Sequence, residues 1–228
     1  GIKVIRVWSF IHSNSGFFLR ILDHLSFAIS AFLNLIFIKK NSYDTIIATS
    51  PQFFVGLTAS LISKTKKIPW FFEVRDLWPE GIIFLKRNSF PYKILLKLEE
   101  YYYNSSKGII TVTSSFKDDI VKRFNIPENK IEIVYNGSNL KLFQPQIKSY
   151  NLVKKLKLQD KYIIGYAGTI GVSHALNFIL NCSKEIYDFD KRIHFLLIGS
   201  GAEYENIQSL IKTKNLTNVS LLPSVKKE

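Results

Sequence analysis

Short β-branched runs alternate along this chain with longer segments of helical periodicity. Residues 2–8 (IKVIRVW), 45–49 (TIIAT), 70–74 (WFFEV), 108–113 (GIITVT) and 130–135 (KIEIVY) read as strands. Residues 19–38, 53–64 and 91–105 read as helices, the last with Pro91 in its first turn, where proline is tolerated. A further helix opens near Ser115. There Ser115 and Asp118 are spaced as a capping box, and Phe116, Ile120, Val121 and Phe124 form the apolar stripe. From residue 138 the composition turns polar and Lys-rich, with Pro145 and no strong period, which marks a linker. The alternation then restarts, with strands at 162–167, 194–198 and 219–222 and helices at 176–187 and 202–215.

Repeated β-α-β units with right-handed crossovers imply parallel sheets covered on both faces. The expected fold is α/β: two Rossmann-like domains facing a cleft, residues 1–143 and 160–228, joined by a linker at 144–159. Ligands then belong at the strand carboxyl ends. Gly1 enters a strand with no lead-in, and Lys226-Lys227-Glu228 stops just after one, so both domains read as incomplete.

Composition narrows the class. A hydrophobic fraction of 46% supports a packed core and excludes a disordered or fibrous chain. The single Cys182 lies in an apolar helical pattern and no secretory leader opens the chain, which reads as a reduced, cytoplasmic setting. The net charge of +13 favours anionic partners such as phosphorylated small molecules or an anionic membrane surface. A Lys-rich composition bias is the bland alternative. Nucleic acid is not expected, because no basic cluster is interleaved with aromatics. The apolar stretch 25–38 falls short of the ~20 residues of a membrane span. Burial is its default reading. The other is interfacial docking flanked by Lys39 and Lys40, with peripheral, salt-sensitive attachment as the expected outcome.

Candidate chemistry sits at the strand ends. Gly168-Thr169-Ile170-Gly171 offers backbone N–H groups at a helix start, an anion site, though the glycines could serve only a tight turn. Gly199-Ser200-Gly201 carries the same ambiguity and is not a full dinucleotide fingerprint. His174, just past the first glycine loop, is placed to meet an anion, whereas His194 reads as structural. No His or Cys cluster has metal spacing. The most specific motif is FFEVRDLWPEG at 71–81, where Arg75, Asp76 and Glu80 follow a buried strand. Charged groups at such a position must be paired or used. Trp78 reads as a core plug, and an Arg75–Asp76 ion pair is the structural alternative.

The succession GIKVIRVW, FEVRDLWPE, VYNGSNLKLFQP, GYAGTIGVSHAL and LLIGSGAE resembles family 4 glycosyltransferases of the GT-B kind. Within them it is similar to the bacterial O-antigen and capsule subgroup, including WbuB-type N-acetyl-fucosamine transferases. The resemblance implies retaining transfer of a sugar from a nucleotide donor, UDP-linked, with no cofactor and no bound metal. It implies a polyprenyl-diphosphate-linked saccharide as acceptor, at the inner face of the membrane. By the same resemblance Gly168, Thr169, Ile170 and Gly171 face the donor diphosphate, with His174 beside them. Gly199, Ser200 and Gly201 form the second nucleotide-side turn, and Pro223 and Ser224 lie against the base. Arg75 and Asp76, with Glu80, approach the donor sugar and acceptor. Where many members carry Arg and Lys after the first glycine loop, this chain has Thr169 and His174. The alternatives are an inactive fragment or binding module, and a GT-B sugar-nucleotide epimerase using Asp76, Glu80 and His174 for proton transfer.

Overall fold

Apolar, β-branched and aromatic runs supply the strands, and longer segments of helical periodicity between them supply the helices. The computed structural model describes residues 2–11, 17–38, 43–79 and 85–225. The chain divides into two compact units, Gly1–Asn139 and Leu140–Glu228.

In the first unit β1 (Ile46–Thr49), β2 (Trp70–Val74), β3 (Gly108–Thr111) and β4 (Ile131–Ile133) form a parallel sheet in that order. Helices α1 (Phe17–Ile36), α2 (Val55–Lys66), α3 (Phe90–Ser105) and α4 (Ser114–Phe124) precede or link the strands. Side-chain caps set where two of these begin. Ser89 accepts from the Tyr92 N–H at the head of α3, and Thr113 accepts from the Phe116 N–H at the head of α4. The capping box expected at Ser115 and Asp118 is therefore wrong. Thr113, still extended as it leaves β3, holds the cap, and Ser115 is already inside the helix.

The core of this unit is aromatic. Phe53, Phe72, Tyr102 and Tyr103 are buried to 2% exposure or less, and Trp70 and Trp78 close over them. Gly56 lets α2 approach α3: a Cβ there would lie 2.8 Å from the Tyr102 ring. Among these apolar groups Glu99 is 1% exposed. Tyr103 donates to its Oε1 at 2.6 Å, and both terminal guanidinium nitrogens of Arg123 reach its carboxylate at 3.2 and 3.3 Å. Arg123 Nε also bonds Asp119 at 2.6 Å. Burial pushes the Glu99 carboxyl up to about 7, against the pull of Arg123 and Tyr103.

The strand expected at residues 2–8 is not formed. Residues 2–11 are largely exposed and join no ladder among the described residues. The Phe10 N–H instead donates to Ser26 Oγ on α1 at 2.8 Å. Alternating apolar residues make strand geometry available, but a strand needs a partner, and here side-chain bonding to a helix takes its place.

In the second unit β5 (Tyr162–Thr169), β6 (Ile193–Ser200) and β7 (Val219–Leu222) form a parallel sheet in chain order. Helices α6 (Leu176–Phe189) and α7 (Tyr204–Thr213) pack on it, and the short α5 (Tyr150–Lys155) lies in the stretch read as linker. Ile170, Leu180, Leu197 and Ile207 form the fully buried centre. Polar groups in this core are neutral and matched. The amide of Asn218 donates to the Ser183 carbonyl at 2.8 Å, and His194 Nε2 meets Ser220 Oγ at 2.9 Å. Burial holds the His194 imidazolium below its usual range, with Lys161 adding to the effect.

Candidate functional site

Two sets of strand ends gather the candidate residues, one in each unit. In the second unit β5 and β6 pair in register through Gly168 with Gly199 and Thr169 with Ser200, so both glycine turns leave the sheet together. The backbones come unusually close. A Cβ on Gly199 would sit 1.8 Å from the Gly168 carbonyl oxygen, so only glycine fits. Gly201, at φ +153°, would place a Cβ 2.4 Å from the Ile170 oxygen. Next to this junction opens a cavity of about 300 Å³, lined by Ala167, Gly168, Thr169, Ile198, Gly199, Ser200, Ser224 and Val225. Its wall combines glycine backbone and small hydroxyl side chains with the apolar Ala167, Ile198 and Val225, at the carboxyl ends of two parallel strands, where α/β sheets bind ligands.

The donor-binding set separates on inspection. Gly168, Thr169, Gly199, Ser200 and Ser224 line the cavity. Ile170 does not: its side chain is fully buried in the core. Its N–H donates to the Ser200 oxygen at 2.9 Å, and its oxygen accepts from the Glu203 N–H at 3.0 Å. Ile170 is a structural pin, because an apolar β-branched side chain at a turn beside a sheet is driven inward.

Gly171 and His174 also lie off the cavity. The helix expected from residue 176 begins there, and a 3-10 turn (Val172–His174) and Ala175 at φ +48° separate it from Gly171, so the glycine loop does not itself form the helix start. His174 stands edge-on to Tyr166 at 6.3 Å between ring centroids. Gly171 lines a separate cavity of about 50 Å³ together with Val172, Asn177 and Glu203. Gly201 shapes the turn behind the wall, and Pro223 is exposed just after β7.

In the first unit the motif at 71–79 is held from an adjacent strand end. Ser50, 1% exposed and one residue past β1, accepts from the N–H groups of Arg75 at 2.8 Å and Asp76 at 3.1 Å. This fixes the loop while leaving both charged side chains exposed. Arg75 Nη2 donates to Asn136 Oδ1 at 3.1 Å. Burial raises the Asp76 carboxyl above its ordinary range, and the Arg75 charge partly offsets it. Trp78 is 7% exposed, stacked on Phe53 at 4.9 Å and tilted against His24 at 5.2 Å, so the core-plug reading holds. His24 Nδ1 accepts from the Phe53 N–H at 3.3 Å, which places the neutral ring's proton on Nε2. Glu80 and His12 lie outside the described residues, as do Lys39 and Lys40.

Sequence reasoning missed Ser50, Asn136 and Val225. The only local trace of Ser50 is its place just after a buried strand, the position at which parallel sheets bring neighbouring loops together. Among the described residues no group of three or more His, Cys, Asp or Glu could hold a metal ion, and no helix is long and apolar enough to cross a membrane.

Comparison with known proteins gives this arrangement a family. Residues 4–142, more than half of the chain, match the family described as Glycosyltransferase Family 4, and the chain belongs to that family. The capsular polysaccharide biosynthesis glycosyltransferase CapM of Staphylococcus aureus is 26% identical over 176 residues, covering 75% of this chain and 44% of CapM. The probable glycosyltransferase WbjE of Pseudomonas aeruginosa is 18% identical over 168 residues, covering 72% of this chain and 42% of WbjE. The chain therefore spans less than half the length of these relatives. Among solved structures, Anabaena HepE in complex with UDP superposes with a TM-score of 0.68 at 13% identity, covering 90% of this chain and 54% of HepE. Sucrose-phosphate synthase from Thermosynechococcus elongatus superposes with a TM-score of 0.66 at 18% identity, covering 90% of this chain and 50% of that one. The fold is accordingly α/β with parallel sheets, matching GT-B glycosyltransferases.

Proposed function

We propose that this chain is the part of a retaining, polysaccharide-building glycosyltransferase that holds a UDP-linked donor at the ends of β5 and β6 and positions the acceptor with the Arg75–Asp76 loop. The observation that carries the reading is the cavity of about 300 Å³ walled by Gly168, Thr169, Gly199, Ser200 and Ser224. A diphosphate suits such a wall. Backbone N–H groups and small hydroxyls approach phosphate oxygens closely, and glycine leaves room for that approach. HepE was solved with UDP and with UDP-glucose, and relatives named as capsular or polysaccharide glycosyltransferases support the same donor class here.

During transfer, negative charge builds on the departing diphosphate. Preorganised N–H dipoles at the strand ends would stabilise it without a metal. Asp76 and Arg75 are exposed polar side chains at the first unit's strand ends, chemically suited to meet a hydroxyl or a sugar. The acceptor we propose is a polyprenyl-diphosphate-linked saccharide, met at the inner face of the membrane by a peripherally attached protein. Within the surface-polysaccharide class, O-antigen synthesis and N-acetyl-fucosamine transfer of the WbuB type are the finer readings.

Calorimetric titration of the full chain with UDP, with and without EDTA, tests the donor reading. Saturable binding that survives EDTA and is lost in Gly168→Val is expected. Binding abolished by EDTA overturns the metal-free claim, and no binding at all overturns the donor assignment.

A further inference from the structure

Helix α1 buries one face and leaves another bare. His24, Ala28 and Ala31 point into the unit. On the other side Phe18, Leu22, Leu25, Ile29 and Leu33 recur at intervals of three or four residues along one stripe, and Phe37 follows at its end. All six are exposed, from 37% at Leu25 to 85% at Phe37. The stripe runs into an apolar groove of about 170 Å³ lined by Leu25, Ile29 and Phe32 of α1, by Phe54 just before α2, and by Leu57 and Leu61 of α2. The hydroxyl at the groove, on Thr58, is spent on the Ala28 carbonyl at 2.9 Å. Nothing polar is offered there.

Charge selects the occupant. Across α1 and α2 a single acid, Asp23, stands against Lys64 and Lys66, with Lys67 capping α2. Lys66 Nζ donates to the carbonyls of Ile36, at 3.0 Å, and of Ile38, which fixes a cation beside the end of the stripe. The whole chain carries +13. A second copy brings the same charge and is repelled, whereas an anionic bilayer interface offers both acyl chains for the stripe and headgroups for the cations.

We propose that the outward stripe of α1, with the α1–α2 groove, is an interfacial docking surface for an anionic lipid bilayer. This rests on the transferase reading only for its use, since a lipid-linked acceptor is reached at such a surface, and not for its physical basis.

The test is sedimentation of the full chain with vesicles of phosphatidylcholine alone and of phosphatidylcholine mixed with phosphatidylglycerol, without any acceptor. Binding to the mixed vesicles is expected, weakened about tenfold by high salt because the charge component is screened. Ile29→Glu with Leu33→Glu should lower partitioning about tenfold or more at an unchanged Tm, because charges replace apolar groups that enter the interface. Leu22→Ser with Ile29→Ser gives the same readout if the Glu pair fails to fold. Phe189→Glu, an exposed apolar residue at the end of α6, should bind like the parent.

No binding by the parent, or folded stripe variants that bind like it, overturns the proposal. A parent dimer that the variants dissociate also overturns it and assigns the stripe to a second copy. UDP titration of the same proteins keeps the two readings apart. Vesicle binding without UDP binding leaves this surface standing while the donor assignment falls, and UDP binding without vesicle binding does the reverse.

Discussion

The two strand-end regions are made of different materials. In the first unit the candidate chemistry is side chains, Arg75 and Asp76, mounted on a loop that Ser50 clasps from the next strand. In the second unit it is backbone: glycine turns packed so closely that each becomes part of the other's wall. A region built from side chains can lose its chemistry and keep its fold. One built from backbone cannot, because the residues that admit the ligand also let the strands meet. Substitutions should therefore divide by unit, and four of them order by expected effect on stability.

Gly199→Ala should cost most. Its Cβ has no space beside the Gly168 oxygen, so β5 and β6 must part, at about 3 kcal/mol or more. Gly165→Ala, in the paired strand β5 and with nothing within 4 Å of its Cβ, should be neutral or stabilise by about 0.5 kcal/mol. Urea unfolding followed by circular dichroism compares them. Equal costs would mean that glycine matters here for strand propensity and not for close approach.

The second effect is a pH dependence of opposite sign in the two units, on the order of 2 kcal/mol for Glu99 in the first. Glu99 is raised by burial to about 7, so the folded first unit holds a proton that the unfolded chain releases near 4.5. Its contribution is complete below about pH 4.5 and is lost as pH rises through about 7. The neighbours that face it are Arg123 and Asp119 of α4 and Tyr103 of its own helix. His194 is held below its ordinary value of 6.5, so the folded second unit disfavours the cation. Its contribution is present above about pH 6.5 and is lost as pH falls. Hydrogen exchange at pH 5 and pH 7.5 should show protection falling in β2 and β3 and rising in β6 as pH increases. Glu99→Gln should flatten the first trend and leave the second. Parallel trends in both units would break the comparison.

Ser50→Ala comes next. It leaves the Arg75 and Asp76 N–H groups without their acceptor, at about 1–2 kcal/mol, and loosens the loop. Ser50→Thr, which keeps the oxygen, should recover part of the loss, as thermal unfolding would show.

Ser50 also marks how far the sequence could be read. Strands 70–74 and 219–222 were legible to the residue, because β-branched and aromatic runs bounded by polar residues carry a period of two. Both glycine-ended strands run two residues further than that signal, to Thr169 and Ser200, since their last residues are held by mutual register and not by side-chain pattern. The same non-local cause hides Ser50, which meets Arg75 only because β1 and β2 pair with Thr49 opposite Glu73. Residues 2–8 show the reverse error: the pattern is present, and among the described residues no strand pairs with them. Ile170 belongs to a loop expected to turn its backbone to the donor; the pattern does not show that its side chain is core and that its N–H is held by the Ser200 carbonyl.

The smallest effect on stability should accompany the largest on chemistry. Asp76 and Arg75 are exposed, and the loop hangs from its own backbone through Ser50, with one exposed bond from Arg75 to Asn136 added. Asp76→Asn and Arg75→Ala should each change stability by less than about 0.5 kcal/mol. If the loop serves transfer, Asp76→Asn should lower turnover about 100-fold or more, the scale of a lost acid–base or positioning group. Arg75→Ala should do something distinguishable. It removes the charge that offsets desolvation of the Asp76 carboxyl, so that carboxyl rises further. The acid limb of the kcat/KM profile should then move to higher pH, while Asp76→Asn should abolish that limb. Arg75→Lys, which keeps the charge without the planar reach to Asn136, should restore the limb more fully than it restores turnover. A turnover loss that tracks unfolding, or an acid limb that none of the three variants moves, returns the pair to a structural role and makes the first unit's strand ends as inseparable from its fold as the second's.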